Sequence, residues 1–318
     1  MPAIKYLLSY IALGSLLVWS SVSSASECDY GADEECLESS FGKLNDRIDQ
    51  YWELTPEHKR GLYRMRTFQA NYLLPYHYSS NINQRPSSPT LGPAASNGIY
   101  RNHEAKIQIS LRTKVREDFL LPNADIWVAY TQTSMWQIWT HEDSAPFRST
   151  DHNPEIFYVV PVTEQFDFFP GPINLRMFRF GLAHQSNGQR EPESRSWNYW
   201  VFSGAFDIKD VFFEATYKRR INESIDNDDN PDLVHYGGNL ETSFTGVLNT
   251  TTYRFTRTSP NFSLNRGAWQ LDLTHPVYPS MPDGIRFHLQ IFSGYNETML
   301  DYNHRQNRTG IGFVLFNI

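Results

Sequence analysis

Long apolar runs, cysteines and basic clusters are all scarce in this sequence. Beyond residue 25 there is no stretch of 18 or more apolar residues, and the mean hydropathy is −0.51. A membrane-spanning helix needs about 20 such residues, so the rest of the chain is not a helical membrane protein. Without a basic stripe, nucleic acid is excluded as an expected partner.

The one apolar run lies at the N-terminus. Lys5 precedes the run from Tyr6 to Trp19, and small residues follow from Ser20 to Ala25. This order predicts a secretory signal peptide over residues 1–25, cleaved after Ala25, with a membrane anchor as the alternative. Because Lys5 is removed with it, the 28 basic side chains become 27 against 35 acidic ones, and the net charge changes from −7 to −8.

The chain has only two cysteines, Cys28 and Cys36, and both follow the predicted cleavage site. In an oxidising compartment they could close one small loop, which favours a local staple over a reactive site. A lipid-modified Cys28 is a weaker alternative, because the charged Glu27 precedes it. We assign residues 26–66 to a periplasmic N-terminal extension of unknown role and residues 67–318 to the main domain.

Apolar and polar residues alternate in many segments of the main domain. The segment from Ile285 to Ile291 places Ile, Phe, Leu and Ile against Arg, His and Gln, and the same period recurs from residues 107, 211 and 269. A period of two is typical of β-strands. At about 20 residues for each strand with its connection, we expect an all-β fold, a transmembrane antiparallel β-barrel of about 12 strands.

Aromatic residues make up 15% of the chain, and Trp and Tyr often fall near predicted strand ends. Interface girdles of membrane barrels have this arrangement. The alternative is a soluble sandwich or a lipocalin-like barrel, which would have a polar outer face. Alternation alone does not decide which face of the strands is wet.

The chemistry-bearing residues cluster around one predicted hairpin. Phe178, Phe180, Leu182, His184 and Ser186 share one face of a strand by the period of two, and a turn follows at Asn187-Gly188. A hairpin register could bring Asn198 of the next strand beside His184. Serine with a neutral imidazole and an acceptor on the other ring nitrogen suits acyl transfer, although His-x-Ser alone is a weak signal.

The sequence HQSNG at residues 184–188, followed by SRSWN at residues 194–198, resembles the signature of the outer-membrane phospholipase A family. The resemblance continues in the family's order through NYLLPY (71–76), KIQISL (106–111), AYTQTSMWQ (129–137), DSAPFR (143–148), DNPDLVHYGG (229–238) and SGYNETMLDYN (293–303). It implies a catalytic triad of His184 as general base, Ser186 as nucleophile and Asn198 as the group that orients His184.

The resemblance also implies a twelve-stranded outer-membrane barrel whose site faces lipid. Such an enzyme hydrolyses acyl esters of glycerophospholipids with A1 and A2 regiochemistry, and lysophospholipids as well. It is active as a calcium-bound homodimer and rests as a monomer. The expected partners are therefore membrane phospholipids as substrate and a second copy of this chain.

One calcium ion per active site is implied at the dimer interface. Carried over by position, its ligands are the carbonyl of Gln189, the side chains of Glu191, Ser194 and Asp229, and Ser144 from the other subunit. The Gly188 amide would join the oxyanion hole, and Gln132 would lie at the subunit contact. Oxygen donors suit a hard calcium ion. The sequence offers no cluster of cysteine and histidine residues of the kind that binds zinc.

Two other functions stay open on the sequence. One is a passive pore or structural barrel without activity, which the intact His184, Ser186 and Asn198 oppose. The other is a soluble secreted esterase with similar chemistry, which would lack the properties of a membrane barrel.

Overall fold

The structure is a computed structural model that describes residues 47–94, 100–140, 146–162, 173–208, 211–224, 227–278, 281 and 284–316. The predicted signal peptide, Cys28, Cys36 and residues 26–46 of the predicted extension lie outside the described residues. Ser144, the implied calcium ligand from the other subunit, lies outside them too.

Twelve antiparallel strands close into one barrel, because the first strand pairs with both the second and the last. The predicted all-β barrel of about 12 strands is therefore confirmed. The strands are β1 (Asn71–Ser79), β2 (His103–Arg116), β3 (Asp125–Trp136), β4 (Phe147–Pro161), β5 (Ile173–Ser186), β6 (Ser196–Ile208), β7 (Val211–Ile221), β8 (Leu240–Leu248), β9 (Thr251–Ser259), β10 (Ala268–Pro276), β11 (Arg286–Gly294) and β12 (Gln306–Phe316).

The connections differ between the two ends of the barrel. One end, the turn end, carries short connections such as residues 249–250 between β8 and β9. The other, the loop end, carries longer loops such as residues 80–102 and 222–239, the second of which contains the helix α1 (Leu233–Gly237). Before β1, a 3-10 turn (Pro56–His58) precedes a short strand, Met65–Thr67, which pairs with β2.

Side chains alternate between the outer face and the lumen as the sequence predicts. On β11, Phe287 is 50% exposed, whereas Arg286 and His288 are each 3% exposed. On β2, Ile109 is 49% exposed and its neighbour Ser110 is fully buried. Apolar side chains outside and polar ones inside are the reverse of a soluble barrel and match a barrel surrounded by lipid. Within the described ranges, no helix is long and apolar enough to cross a membrane.

Charged side chains meet in the lumen near the loop end. The Glu104 carboxylate on β2 accepts two hydrogen bonds from Arg148 on β4, at 2.9 and 3.0 Å, and a third from Arg308 on β12. Arg148 also pairs with Asp301 in the loop between β11 and β12. All four side chains are fully buried, so each charge depends on its partners for compensation.

A second buried carboxylate, Glu297, lies in the same loop and extends the network. It pairs with Lys106 at 2.9 Å, with Arg308 at 2.7 Å and with His77 at 3.2 Å. Burial alone would raise the pKa of Glu297, but the attraction of Lys106, Arg308 and His77 outweighs it and holds that pKa well below its usual value. The lumen is thus cross-linked by ion pairs from β2, β4 and β12, together with the contact of His77 on β1 with Glu297.

Residues 47–68, which we name the luminal segment, fill the lumen toward the turn end. Ile48 and Trp52 pack with the inward side chains of Phe157 and Met177 in one buried cluster. Trp52 and Phe157 meet edge to face with ring centroids 6.3 Å apart. The last part of the predicted extension is therefore packed inside the barrel, where its apolar residues are buried.

A buried guanidinium ties the luminal segment to the wall. The Arg112 guanidinium on β2 lies over the rings of Tyr51, Trp52 and Trp127, at 4.1, 4.4 and 4.7 Å from their centroids. It also donates a hydrogen bond to the Tyr51 carbonyl. A cation over an aromatic face is attracted by the ring quadrupole, and the attraction is stronger when water is excluded.

Glu53 of the luminal segment makes buried ionic contacts at the turn end. Its side chain is fully buried, and it pairs with Lys114 of β2 at 2.7 Å and with Arg66. Burial would raise the pKa of Glu53, but the hydrogen bonds from Lys114 and the Arg60 amide and the nearby positive charges lower it below 4.5. The ionised carboxylate thus stabilises the fold above pH 4.5.

This contribution is expected to disappear as the pH falls through the lowered pKa of Glu53, because the protonated carboxyl loses its pairing with Lys114. We expect Glu53→Gln to lower the free energy of unfolding by about 3 kcal/mol at neutral pH. The difference from the wild type should shrink toward zero in acid. Denaturant unfolding in detergent at several pH values measures it, with the exposed Glu57→Gln as control. A difference that does not depend on pH would contradict the assignment.

Candidate active site

His184 and Asn198 face each other across the β5–β6 hairpin. The strand register pairs His184 with Asn198 and Ser186 with Ser196. Nδ1 of His184 lies 2.9 Å from Oδ1 of Asn198. The hairpin contact expected from the sequence is therefore present in the structure.

Both strands turn this site toward the outside of the barrel. Phe178 and Phe180 share the face of His184, and they are 39% and 43% exposed. Trp200 and Phe202 flank Asn198 on the same face of β6 and are also exposed. The polar site therefore continues an apolar outer surface.

Ser186 is the last residue of β5, two positions beyond His184 on the same outward face. Its hydroxyl forms no hydrogen bond to His184 in the described part of the chain. Gly188 follows with φ of +61°, a left-handed conformation that glycine adopts without steric cost. This conformation ends the strand directly after Ser186 and begins the loop of residues 187–195.

A second imidazole lies beside Ser186, on the strand that borders β5 on the side away from β6. His152 of β4 is the cross-strand partner of Ser186. Its Nδ1 lies 2.6 Å from the Tyr130 hydroxyl. A Cβ atom placed on Gly188 would lie 3.6 Å from Nε2 of His152. The ring edge of His152 therefore borders the space next to Gly188.

Gln132 lies on the same outer surface, on β3 opposite His152. Its Oε1 accepts a hydrogen bond of 3.2 Å from the Tyr130 hydroxyl, and its Nε2 donates one of 3.3 Å to Ser134. The residue is half-buried within a polar patch on the apolar face.

The loop after β5 is organised by two side chains of its own. The side-chain oxygen of Asn187 accepts a hydrogen bond of 2.9 Å from the backbone amide of Arg195. The side-chain amide of Asn187 donates one of 2.7 Å to the backbone carbonyl of Glu193. The buried Arg195 guanidinium donates to the carbonyls of Pro192 and Ser194, at 3.0 and 2.6 Å. Burial lowers the pKa of Arg195. These bonds fix the path of the loop before β6 begins.

Two of the four described calcium candidates come together. The Ser194 hydroxyl donates a hydrogen bond of 2.5 Å to Oδ2 of Asp229, in the loop between β7 and β8. Gln189 and Glu191 are exposed in the loop, and neither side chain bonds to that pair within the described ranges. The described residues also hold no group of three or more His, Cys, Asp or Glu side chains suited to a metal ion.

The donor chemistry nevertheless fits calcium, since a hydroxyl, a carboxylate and exposed loop carbonyls are oxygen ligands. Calcium also accepts water molecules and flexible coordination numbers. Ser194 and Asp229 supply two such oxygens at one point, beside a loop in which Gln189 and Arg190 are exposed.

The site rests on a buried cluster inside the barrel. Inward residues of β5 and β6 pack against α1 and the loop between β11 and β12, as in the contacts of Ala183 and Trp197 with Leu233 and Met299. The Tyr302 hydroxyl donates to Asp232 at 2.5 Å. Burial raises the pKa of Tyr302, and its hydrogen bond to Asp232 raises it further. Packing and hydrogen bonds inside the barrel therefore stabilise the loop end beneath the site.

Glu223 was not anticipated from the sequence. Nδ2 of Asn198 donates to Oε1 of Glu223 at 2.9 Å. Glu223 lies two residues beyond Ile221, which pairs with Asn198 in the register of β6 and β7. Only that register, together with the one that joins β4 to β5, identifies Glu223 and His152 as neighbours of the hairpin.

Residues 48–315 match the family model for phospholipase A1. The chain belongs to the phospholipase A1 family. The family predicted from the HQSNG and SRSWN sequences is thereby confirmed.

Members of the phospholipase A1 family from several bacteria are similar over most of the chain. A protein of Neisseria meningitidis serogroup B assigned to phospholipase A1 is 36% identical over 270 residues, which cover 84% of this chain and 69% of the relative. Phospholipase A1 of Escherichia coli K12 is 29% identical over 248 residues, which cover 78% of this chain and 80% of the relative.

Solved structures of family members have the same fold. Outer membrane phospholipase A from Escherichia coli matches with a TM-score of 0.69 at 27% identity, over 80% of this chain and 100% of that one. The Salmonella typhi outer membrane phospholipase, solved as a dimer with bound calcium, matches with a TM-score of 0.68 at 27% identity, over 83% of this chain and 95% of that one.

Proposed function

We propose that this protein hydrolyses the acyl esters of glycerophospholipids in the bacterial outer membrane, as a phospholipase A1 and A2 and as a lysophospholipase. Ser186 is the nucleophile, His184 the general base and Asn198 the residue that orients His184. The observation that carries the proposal is the 2.9 Å contact between His184 and Asn198, with Ser186 next on the same outward face.

The chemistry follows from the tautomer of His184. When Oδ1 of Asn198 accepts the proton of Nδ1, Nε2 is left with a lone pair. Nε2 takes the proton of Ser186 as Oγ attacks the ester carbonyl, and the same proton then passes to the leaving alkoxide. A water molecule, deprotonated by His184 in turn, releases the fatty acid and restores Ser186.

The position of the site suits a substrate that lies in the membrane. The outer face of the hairpin carries exposed apolar side chains next to the site, namely Phe178, Phe180, Trp200 and Phe202. Acyl chains that lie along such a surface remain in an apolar environment while the ester meets Ser186. The outward apolar face and the likeness to outer membrane phospholipase A support a location in that membrane.

The negative oxygen that develops during attack needs donors, because a neutral asparagine adds no full charge to the base. We assign the Gly188 amide to this oxyanion hole. Calcium would be held by the Gln189 carbonyl and by the side chains of Glu191, Ser194 and Asp229. When bound, the ion would supply positive charge close to the developing oxyanion.

Ser144 of the partner subunit completes the calcium site in this proposal, and Gln132 forms part of the subunit contact. The monomer would then be the resting form and the homodimer the active form, since calcium and the second subunit stabilise each other by linkage. The calcium-bound dimer of the Salmonella typhi phospholipase supports this assignment.

Calcium dependence tests the proposal. Fatty acid release from phospholipid in mixed micelles should cease in chelator and return with added calcium. We expect Asp229→Asn to raise the half-maximal calcium concentration about tenfold, because one negative ligand is lost. Asp118→Asn, at the turn end, is the charge-matched control. Full activity in chelator would reject the calcium site, and absence of any phospholipid hydrolysis by the wild type would reject the function.

A further inference from the structure

Glu223 forms a contact that the proposed triad does not use. Its carboxylate accepts a hydrogen bond of 2.9 Å from Nδ2 of Asn198, while Oδ1 of the same amide lies 2.9 Å from Nδ1 of His184. The side chain is half-buried, and in the described part of the chain no ion pair neutralises it. Two successive contacts therefore connect the carboxylate of Glu223, the amide of Asn198 and the imidazole of His184, on the outer surface that also carries Ser186.

The order of donors in these contacts follows from what a carboxylate can do. An ionised Glu223 only accepts hydrogen bonds, so the NH2 group of Asn198 must face it. The Oδ1 atom of Asn198 then faces His184, and Nδ1 of His184 must carry the proton. Nε2 is left as the acceptor, which is the form that a general base requires.

Charge adds to this positional effect. An asparagine can orient a histidine, but it contributes no net charge when the imidazole becomes protonated. The carboxylate of Glu223 polarises the amide of Asn198 from its far end, and a hydrogen bond to a charged group is stronger than one between neutral groups. Two ionisable side chains on the neighbouring outer strands, His152 on β4 and Arg219 on β7, do not bond to Asn198 in the described ranges.

We propose that Glu223 is a positioning residue of the catalytic relay, which fixes the amide of Asn198 and, through it, the proton-accepting form of His184. The inference rests on the proposed function, because it concerns the same hydrolysis. It adds a fourth residue, which acts through Asn198 and does not touch the substrate.

The first test is the steady-state hydrolysis of phospholipid in mixed micelles with calcium. We expect Glu223→Ala to lower kcat about tenfold with little change in KM, because the loss affects the base and not substrate binding. Glu223→Gln keeps an acceptor and removes the charge, so its loss should be smaller, about threefold. Glu57→Gln, an exposed carboxylate at the turn end, is the control.

The second test separates this role from mere support of the fold. In the variant Asn198→Asp, the new carboxylate would face the carboxylate of Glu223, and the two like charges would repel each other. Adding Glu223→Gln to Asn198→Asp should therefore raise kcat about tenfold, whereas Glu223→Gln alone lowers it. A merely structural role predicts a loss in both backgrounds.

The outcomes separate the two proposals. Equal kcat values for Glu223→Ala and the wild type, or a loss on adding Glu223→Gln to Asn198→Asp, would overturn the role of Glu223 while Ser186-dependent hydrolysis stands. If hydrolysis persists in Ser186→Ala, the proposed function itself fails. Heat-modifiable migration on gels verifies that each variant forms the barrel.

Discussion

Replacing Ser186 by alanine is expected to lower phospholipid hydrolysis by about 10⁴-fold or more, because the proposed nucleophile is lost. The barrel should remain folded. Ser186 lies at the loop end of β5, and its hydroxyl forms no hydrogen bond within the described residues. Removing the hydroxyl therefore leaves no buried partner unsatisfied. Release of fatty acid from mixed micelles with calcium measures the loss.

The hairpin offers a matched control. Ser196 lies directly across from Ser186 in the register of β5 and β6. Ser196→Ala removes an equal group from the same surface and should leave activity within a few-fold of the wild type. Hydrolysis at the wild-type rate by Ser186→Ala would mean that the nucleophile lies elsewhere.

The largest loss of stability is expected for Glu104→Ala. Its carboxylate compensates Arg148 and Arg308, both fully buried, and without it two guanidinium groups are left in the lumen with fewer acidic partners. Breaking a buried ion pair from one side costs about 3–5 kcal/mol, and we expect a value near the upper end because two cations are affected. Denaturant unfolding in detergent measures the change.

A conservative variant and a surface control accompany this measurement. Glu104→Gln keeps the shape and one acceptor oxygen, so its loss should be smaller than that of alanine. Asp118→Asn removes the charge of an exposed partner of Lys59 but keeps the acceptor oxygen for the Asn123 amide, and it should have little effect, since surface ion pairs are weak. A Glu104→Ala barrel as stable as the wild type would show that water or other groups compensate the two arginines.

The barrel was predictable because its signal is local. Alternation along β11 and β2 follows from the geometry of a strand, and the structure places Phe287 and Ile109 outward as expected. The contact of His184 with Asn198 was predictable for a related reason, since a hairpin register links residues that are close in sequence. The apolar outer face that distinguishes a membrane barrel from a soluble one needed the structure.

Other features depend on contacts between distant segments. The luminal segment carries Ile48 and Trp52 without a strand period, so nothing in the sequence indicates that they are buried against Phe157. Glu223 and His152 reach the hairpin only through the pairing of β6 with β7 and of β4 with β5. The side chains of Gln189 and Glu191 lie in a loop, where no repeating pattern fixes their direction.

The lumen also bears on the passive-pore alternative. Ion pairs cross it near the loop end, and the luminal segment packs into it toward the turn end. A passive pore keeps an open water-filled passage, whereas these side chains occupy the interior from both sides. A cavity of about 420 Å³ remains between the two, but the packing on either side of it opposes the passive-pore alternative.

The buried ion pairs have a consequence for the order in which the barrel can assemble. The early strands bring Glu104, Lys106 and Arg148, which together carry one excess positive charge. The chain between β11 and the end of β12 brings Glu297, Asp301 and Arg308, with one excess negative charge. Neither group is neutral alone, so the final pairing of β12 with β1 joins two complementary charges. A barrel that is not closed would leave these two sets of buried charges without full compensation.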